Sequence, residues 1–204
     1  MPFLSGCAAI APTFMSLGNH EWMVDEKDLA AITATGVTVL DNAWRSITVD
    51  GKEVILAGLT SGYVTDYRAF RTIQPAEPRY PRREALYGIG GVRAGHKPET
   101  AWLEKFAATD PSLTHILMSH HPEYFPLVPK EIDLILSGHA HGGQLRMYNL
   151  FKREWFGLWS PGQGWWPKWT RGVYEGRLVV SPGLSNTTWI PRIGNPTEIV
   201  YIES

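Results

Sequence analysis

Short apolar runs broken by glycine and proline set the pattern of this chain, and runs of that kind predict strands. The first is Thr13 to Leu17, which stops at Gly18. Asp25 then opens a helical stretch through Thr35, with Gly36 placed as its stop. Val37 to Leu40 is a second β-branched run. Ser46 to Val49 and Val54 to Leu59 flank Asp50-Gly51, the dipeptide best suited to a tight hairpin, so an antiparallel pair is expected there. From Tyr67 to Gly95, prolines, glycines and arginines follow one another without periodicity, which predicts a long excursion over the surface.

Order returns at Pro98, which suits the first turn of a helix carrying Trp102, Leu103 and Phe106 on one face and ending before Asp110-Pro111. Two apolar strands come next. Thr114 to Met118 runs into Ser119-His120-His121-Pro122, and Ile132 to Leu136 runs into Ser137-Gly138-His139-Ala140-His141-Gly142-Gly143-Gln144. Histidines just beyond a buried strand occupy the place where open α/β sheets put their ligands. The final third reads as loop-rich and aromatic up to Arg171. Gly172 to Tyr174, Leu178 to Val180 and Glu198 to Ile202 are expected as late strands. The succession of elements predicts an α/β fold.

Composition narrows this picture. A chain of 204 residues with 44% hydrophobic and 19% charged residues fits one compact domain, residues 1–204, with a single core. The net charge of -1 gives no strong nucleic-acid signal. Cys7 has no second cysteine with which to form an intrachain disulfide. Leu4-Ser5-Gly6-Cys7 has the form of a lipoprotein cleavage site, yet no basic or long apolar region precedes it, so it is not read as a signal peptide. No uninterrupted apolar run of about 18 residues occurs. The chain therefore reads as soluble, cytoplasmic or peripheral to a membrane.

The candidate chemistry lies at three strand ends. Gly138-His139-Ala140-His141-Gly142-Gly143 uses glycines to turn tightly and brings two imidazoles near one small volume, which suits a metal. The plainer reading makes one of them a surface residue and the other a hydrogen-bonded core residue. His120 is held by the turn that Pro122 stiffens, while His121 is open to a solvent-facing reading. Gly18-Asn19-His20-Glu21 joins an amide oxygen able to bind a cation to an imidazole suited to proton transfer. The joint occurrence of the three motifs, each behind its own strand, favours one functional site.

At these residues the chain resembles the calcineurin-like metallophosphoesterase superfamily, whose signature includes G-N-H-E/D, a histidine turn and G-H-x-H. The G-H-x-H-G-G-Q form and the stretch Pro161 to Lys168 look like its bacterial envelope-associated phosphohydrolase branch. The resemblance runs from about Ala11 to Tyr201 and implies a sandwich of two mixed sheets flanked by helices. It implies that Asn19, His120 and His139 bind one metal, that His141 binds another, and that His20 protonates the leaving-group oxygen. The nucleophile would be a metal-held hydroxide. Two divalent ions of the manganese, iron or zinc kind are implied, about 3.5 to 4 Å apart, where they can acidify a water and neutralise phosphoryl charge. The substrate would be a phosphomonoester, a phosphodiester or a lipid-linked pyrophosphate, as a small molecule or a lipid.

One departure qualifies that expectation. Superfamily members begin with D-x-H and then G-D-x-x-D, which complete the first site and bridge the metals. Neither motif is present, and Asp25, Asp41 and Asp66 stand outside any such context. The second site is accordingly expected to be incomplete and the fold N-terminally truncated, through an incomplete reading frame or a late start at Met1. The alternative is a catalytically inactive remnant or binding module that keeps part of a metal site. Trp155, Trp159, Trp165, Trp166 and Trp169 suit loop packing first, and otherwise a substrate rim or a peripheral membrane contact. Arg71, Arg79, Arg82, Arg83 and Arg93 fit a solvated loop, with a phosphate contact as the second reading.

Overall fold

The computed structural model describes residues 1–73, 96–151, 153–186 and 190–203. Helix α1 (Pro2–Ile10) leads into strand β1 (Phe14–Ser16), a 3-10 turn at Asn19–Met23 and helix α2 (Glu26–Thr33). The Asp25 carboxylate accepts the Asp28 N–H at 3.0 Å, so the expected start of α2 is an N-cap. Strands β2 (Thr38–Leu40), β3 (Ala43–Val49) and β4 (Lys52–Leu59) follow. Asp50 and Gly51 both have positive φ, 50° and 77°, as the hairpin between β3 and β4 requires. Helix α3 (Gly62–Ile73) occupies the start of the stretch expected to be a surface excursion; the rest of that stretch lies outside the described residues.

Helix α4 (Leu103–Ala107) is shorter than the helix expected from Pro98, because residues 96–100 form no regular element. Its Leu103 and Phe106 are nonetheless fully buried, as their spacing predicts. Strands β5 (Thr114–Ser119) and β6 (Leu134–Ser137) carry the two histidine motifs. The expected loops of the final third contain an antiparallel sheet of β7 (Leu145–Asn149), β8 (Glu154–Ser160) and β9 (Gly164–Trp165). Strands β10 (Gly172–Tyr174) and β11 (Leu178–Val180) fall where expected. Glu198–Ile202 forms no strand: Ile199 and Tyr201 are exposed, and among the described residues no neighbour pairs with the segment in a ladder.

The α/β expectation holds. The main sheet is mixed and six-stranded, in the order β10-β11-β6-β5-β4-β3, with its four inner strands parallel. Beside it stand the parallel pair β1-β2 and the sheet β7-β8-β9. Parallel inner strands are covered on both faces, and β4 shows this by burying six successive residues from Val54 to Leu59. Ile55, Ala57, Leu117, Ile135 and Leu178 join Leu103, Phe106 and Ile132 in one core. That arrangement aligns the C-terminal ends of β4, β5 and β6 on one edge. Ser61 N–H, just past β4, donates to the Leu17 carbonyl at 2.8 Å and brings the end of β1 to the same edge.

Candidate metal centre

The turn after β1 is built to approach the end of β5. Glu21 folds back so that its carboxylate accepts the Gly18 N–H at 2.7 Å. A Cβ at Gly18 would lie 2.6 Å from His120 Cδ2, so only glycine lets this turn lie against the His120 ring. Asn19 then places its Oδ1 3.1 Å from His120 Nε2.

The end of β6 completes the cluster. The ring centroid of His139 lies 5.2 Å from that of His120 and 4.1 Å from that of His121. His139 and His141 both have left-handed backbone, with φ of 58° and 48°. Such geometry costs a non-glycine residue roughly 1–2 kcal/mol and tends to persist where side-chain placement matters. His141 donates Nδ1–H to the side-chain oxygen of buried Gln144 at 3.0 Å, which puts its lone pair on Nε2. Gln144 is held in turn by Asn186 at 2.8 Å. His20 is exposed at the rim, within electrostatic reach of His120 and His141.

Burial decides the charge of these rings. It pushes His120 and His121 down to about 3, His139 well below its ordinary value, and His141 down as well. Near neutral pH all four are therefore neutral, with lone pairs available, as ligation requires. Burial pushes the Glu123 carboxyl upward. An amide oxygen and a neutral imidazole 3.1 Å apart, beside two further imidazoles, are a donor set that fits a divalent cation of borderline hardness.

His121 does not face solvent. It is 1% exposed, with Nδ1 3.1 Å from Glu123 Oε1 and Nε2 2.8 Å from Ser61 Oγ. The same Glu123 oxygen lies 3.5 Å from His139 Nε2. The backbone of Gly162 (φ +74°) covers this group; a Cβ there would collide with Glu123 Oε1 and lie 2.7 Å from His139 Nε2. Sequence reasoning assigned no role to Ser61, Glu123 or Gln144. For Gln144 the signal was its place at the end of the histidine loop, and for Glu123 an acidic residue one turn beyond a histidine pair.

The remaining candidates separate. Asp25 caps α2, Asp41 pairs with Arg68 at 2.7 Å, and Asp66 pairs with His96, so none of the three is placed with His120, His139 and His141. Trp169 is buried against Phe125, in line with packing, while Trp155, Trp165 and Trp166 are exposed. Arg79, Arg82, Arg83, Arg93 and the side chain of Arg71 lie outside the described residues. No helix among the described residues is long and apolar enough to cross a membrane.

Comparison with known proteins gives a consistent result. The family model for calcineurin-like phosphoesterases matches residues 3–143, which include all three histidine motifs. A Caenorhabditis elegans protein that carries a metallophosphoesterase name, F40B5.2, is 29% identical over 150 residues, covering 68% of this chain and 26% of its own length. The phosphodiesterase YaeI of Escherichia coli is 30% identical over 150 residues, covering 71% of this chain and 42% of its own length. The chain thus aligns with well under half of either relative. No solved structure matches it.

Proposed function

The chain belongs to the calcineurin-like phosphoesterase family, and from that premise we propose that residues 1–204 act as one domain that hydrolyses a phosphoester with the help of divalent cations. Asn19, His120 and His139 hold one ion and His141 its neighbour, with manganese, iron and zinc as the fitting kinds. The observation that carries this reading is the 3.1 Å approach of Asn19 Oδ1 to His120 Nε2, which joins two separate strand ends beside His139. The bound ions supply Lewis acidity toward the phosphoryl oxygens and acidify water.

The chain's own residues do the rest. Neutral His120, His139 and His141 present lone pairs, and Gln144 keeps the His141 ring in one orientation. His20, exposed at the rim, delivers a proton to the departing ester oxygen. The substrate is a phosphoester of a small molecule or a lipid. The printed name of the Escherichia coli relative adds weight to a phosphodiester. A second reading, a binding module that keeps a metal without turnover, is favoured by the shortage of carboxylates: the one cluster of His, Cys, Asp and Glu found among the described residues contains a single acid.

Metal content and hydrolysis of bis-p-nitrophenyl phosphate, measured together, test the assignment. His139→Ala should lose metal and rate together. His20→Ala should keep its metal while the rate falls roughly 10²- to 10⁴-fold. Equal metal loss in both variants would refute this division of roles, and a metal-loaded protein without turnover would establish the binding module.

A further inference from the structure

We infer that His96 reads a hydroxyl group of the substrate in a small cavity beside the metal centre, and that the esterified alcohol is accordingly a polyol such as glycerol or a pentose. The inference rests on the phosphoester reading above and adds to it the class of alcohol. His96 has no part in the metal assignment.

Three side chains hold His96 in place. Tyr63 and Asp66 stand three residues apart and so share one face of α3. The ring centroids of Tyr63 and His96 are 3.7 Å apart, and Asp66 Oδ2 pairs with His96 Nδ1. The Tyr124 hydroxyl donates to the His96 carbonyl at 2.6 Å. Gly62 permits the close approach, since a Cβ there would lie 2.3 Å from the same carbonyl oxygen. An imidazole that gives Nδ1–H to a carboxylate keeps Nε2 for a partner of its own. Among the described residues His96 Nε2 has none, although the residue is only 7% exposed and the nitrogen is buried. A histidine placed for packing alone would have that nitrogen satisfied, as buried polar atoms nearly always are.

The cavity measures about 270 Å³ and is lined by Tyr63, His96, Glu123, Tyr124, Trp159 and Gly162. It adjoins the metal centre: Glu123 Oε1 lies 3.5 Å from His139 Nε2, and a Cβ on Gly162 would lie 2.7 Å from the same nitrogen. Pockets that enclose a whole drug-sized ligand run from roughly 300 to 1,000 Å³, so this one suits a short fragment. Its polar demand comes from two buried atoms, His96 Nε2 and Glu123 Oε2, neither with a hydrogen-bond partner among the described residues. A second phosphate or a carboxylate placed here would meet the acidic side chain of Glu123. A hydroxyl both donates and accepts, so it serves an imidazole and a carboxyl group in either protonation state. Two unsatisfied atoms in one small cavity call for more than one hydroxyl. The rings of Tyr63, Tyr124 and Trp159 offer apolar surface to the carbon skeleton that carries them.

Calorimetric binding of phosphate esters to the full chain supplied with Mn²⁺ tests this, with folding checked by circular dichroism. Glycerol phosphate and ribose 5-phosphate carry hydroxyls close to the ester; propyl phosphate carries none. The wild type should bind one of the two polyol esters at least about 10-fold more tightly than propyl phosphate, and the tighter of the two identifies the alcohol. His96→Ala should bring that ratio to within about 3-fold, while propyl phosphate, which has no hydroxyl for His96 to read, binds as before. A role in packing alone would weaken all three esters together. Should His96→Ala fail to fold, Asp66→Ala, which frees the ring to turn, carries the test with the same expectation. Equal wild-type affinity for the three esters, or a polyol preference that survives in both variants, overturns the inference and leaves the metal assignment standing. Failure of the wild type to bind any of the three overturns both.

Discussion

A buried histidine is a liability at low pH, and this chain has several side by side. His121 is 1% exposed and both it and His120 have values near 3, against 6.5 for a free imidazole. Above pH 6.5 the folded and unfolded chains carry these rings in the same neutral form, so they add no pH dependence. As pH falls from 6.5 toward 3, the unfolded chain takes up protons that the folded chain refuses, and stability declines. For a ring as buried as His121 the slope reaches at most about 1.4 kcal/mol per pH unit. The metal-free protein should therefore melt at a clearly lower temperature at pH 4.5 than at pH 7.5. An unchanged melting temperature would mean that the imidazoles are solvated. At this scale the sequence was informative about which side chains meet and silent about burial: Asn19, His120 and His139, which the structure brings together, could be picked out by their letters, whereas nothing in His-His-Pro-Glu distinguishes an inward His121 from an outward one.

The legibility of an element depended on whether its pattern was local. The β3-β4 hairpin, the Asp25 cap and the two histidine strands follow from turn chemistry and apolar runs that need no distant partner. The sheet β7-β8-β9 escaped notice because its strands carry large aromatic side chains on partly exposed faces, where apolar and polar positions do not alternate cleanly. Glu198–Ile202 erred in the other direction: its run of β-branched and aromatic residues is real, but a strand needs a neighbour and none pairs with it among the described residues. Burial also sets what each element contributes. Phe106, fully buried on α4, should cost about 3–5 kcal/mol in urea unfolding when replaced by alanine. Trp165, 65% exposed on β9, should change stability by less than about 0.5 kcal/mol in the same substitution. Similar losses at the two sites would contradict the assigned core.

Across the whole molecule, parallel strands do the organising. Because β4, β5 and β6 run the same way, their C-terminal loops share one edge, and the turn after β1 is tied to that edge through Ser61 and Leu17. Segments about a hundred residues apart in sequence thereby meet at Asn19 and His120. The calcineurin-like family match covers the same segments and ends just past the β6 loop. On the function proposed above, imidazoles from separate loops and one amide oxygen share a cation. Anomalous diffraction at the zinc edge from a crystal soaked in Zn²⁺ tests it most directly. A peak is expected about 2.0–2.2 Å from both His120 Nε2 and Asn19 Oδ1. Well-ordered density for both side chains with no peak between them would contradict it.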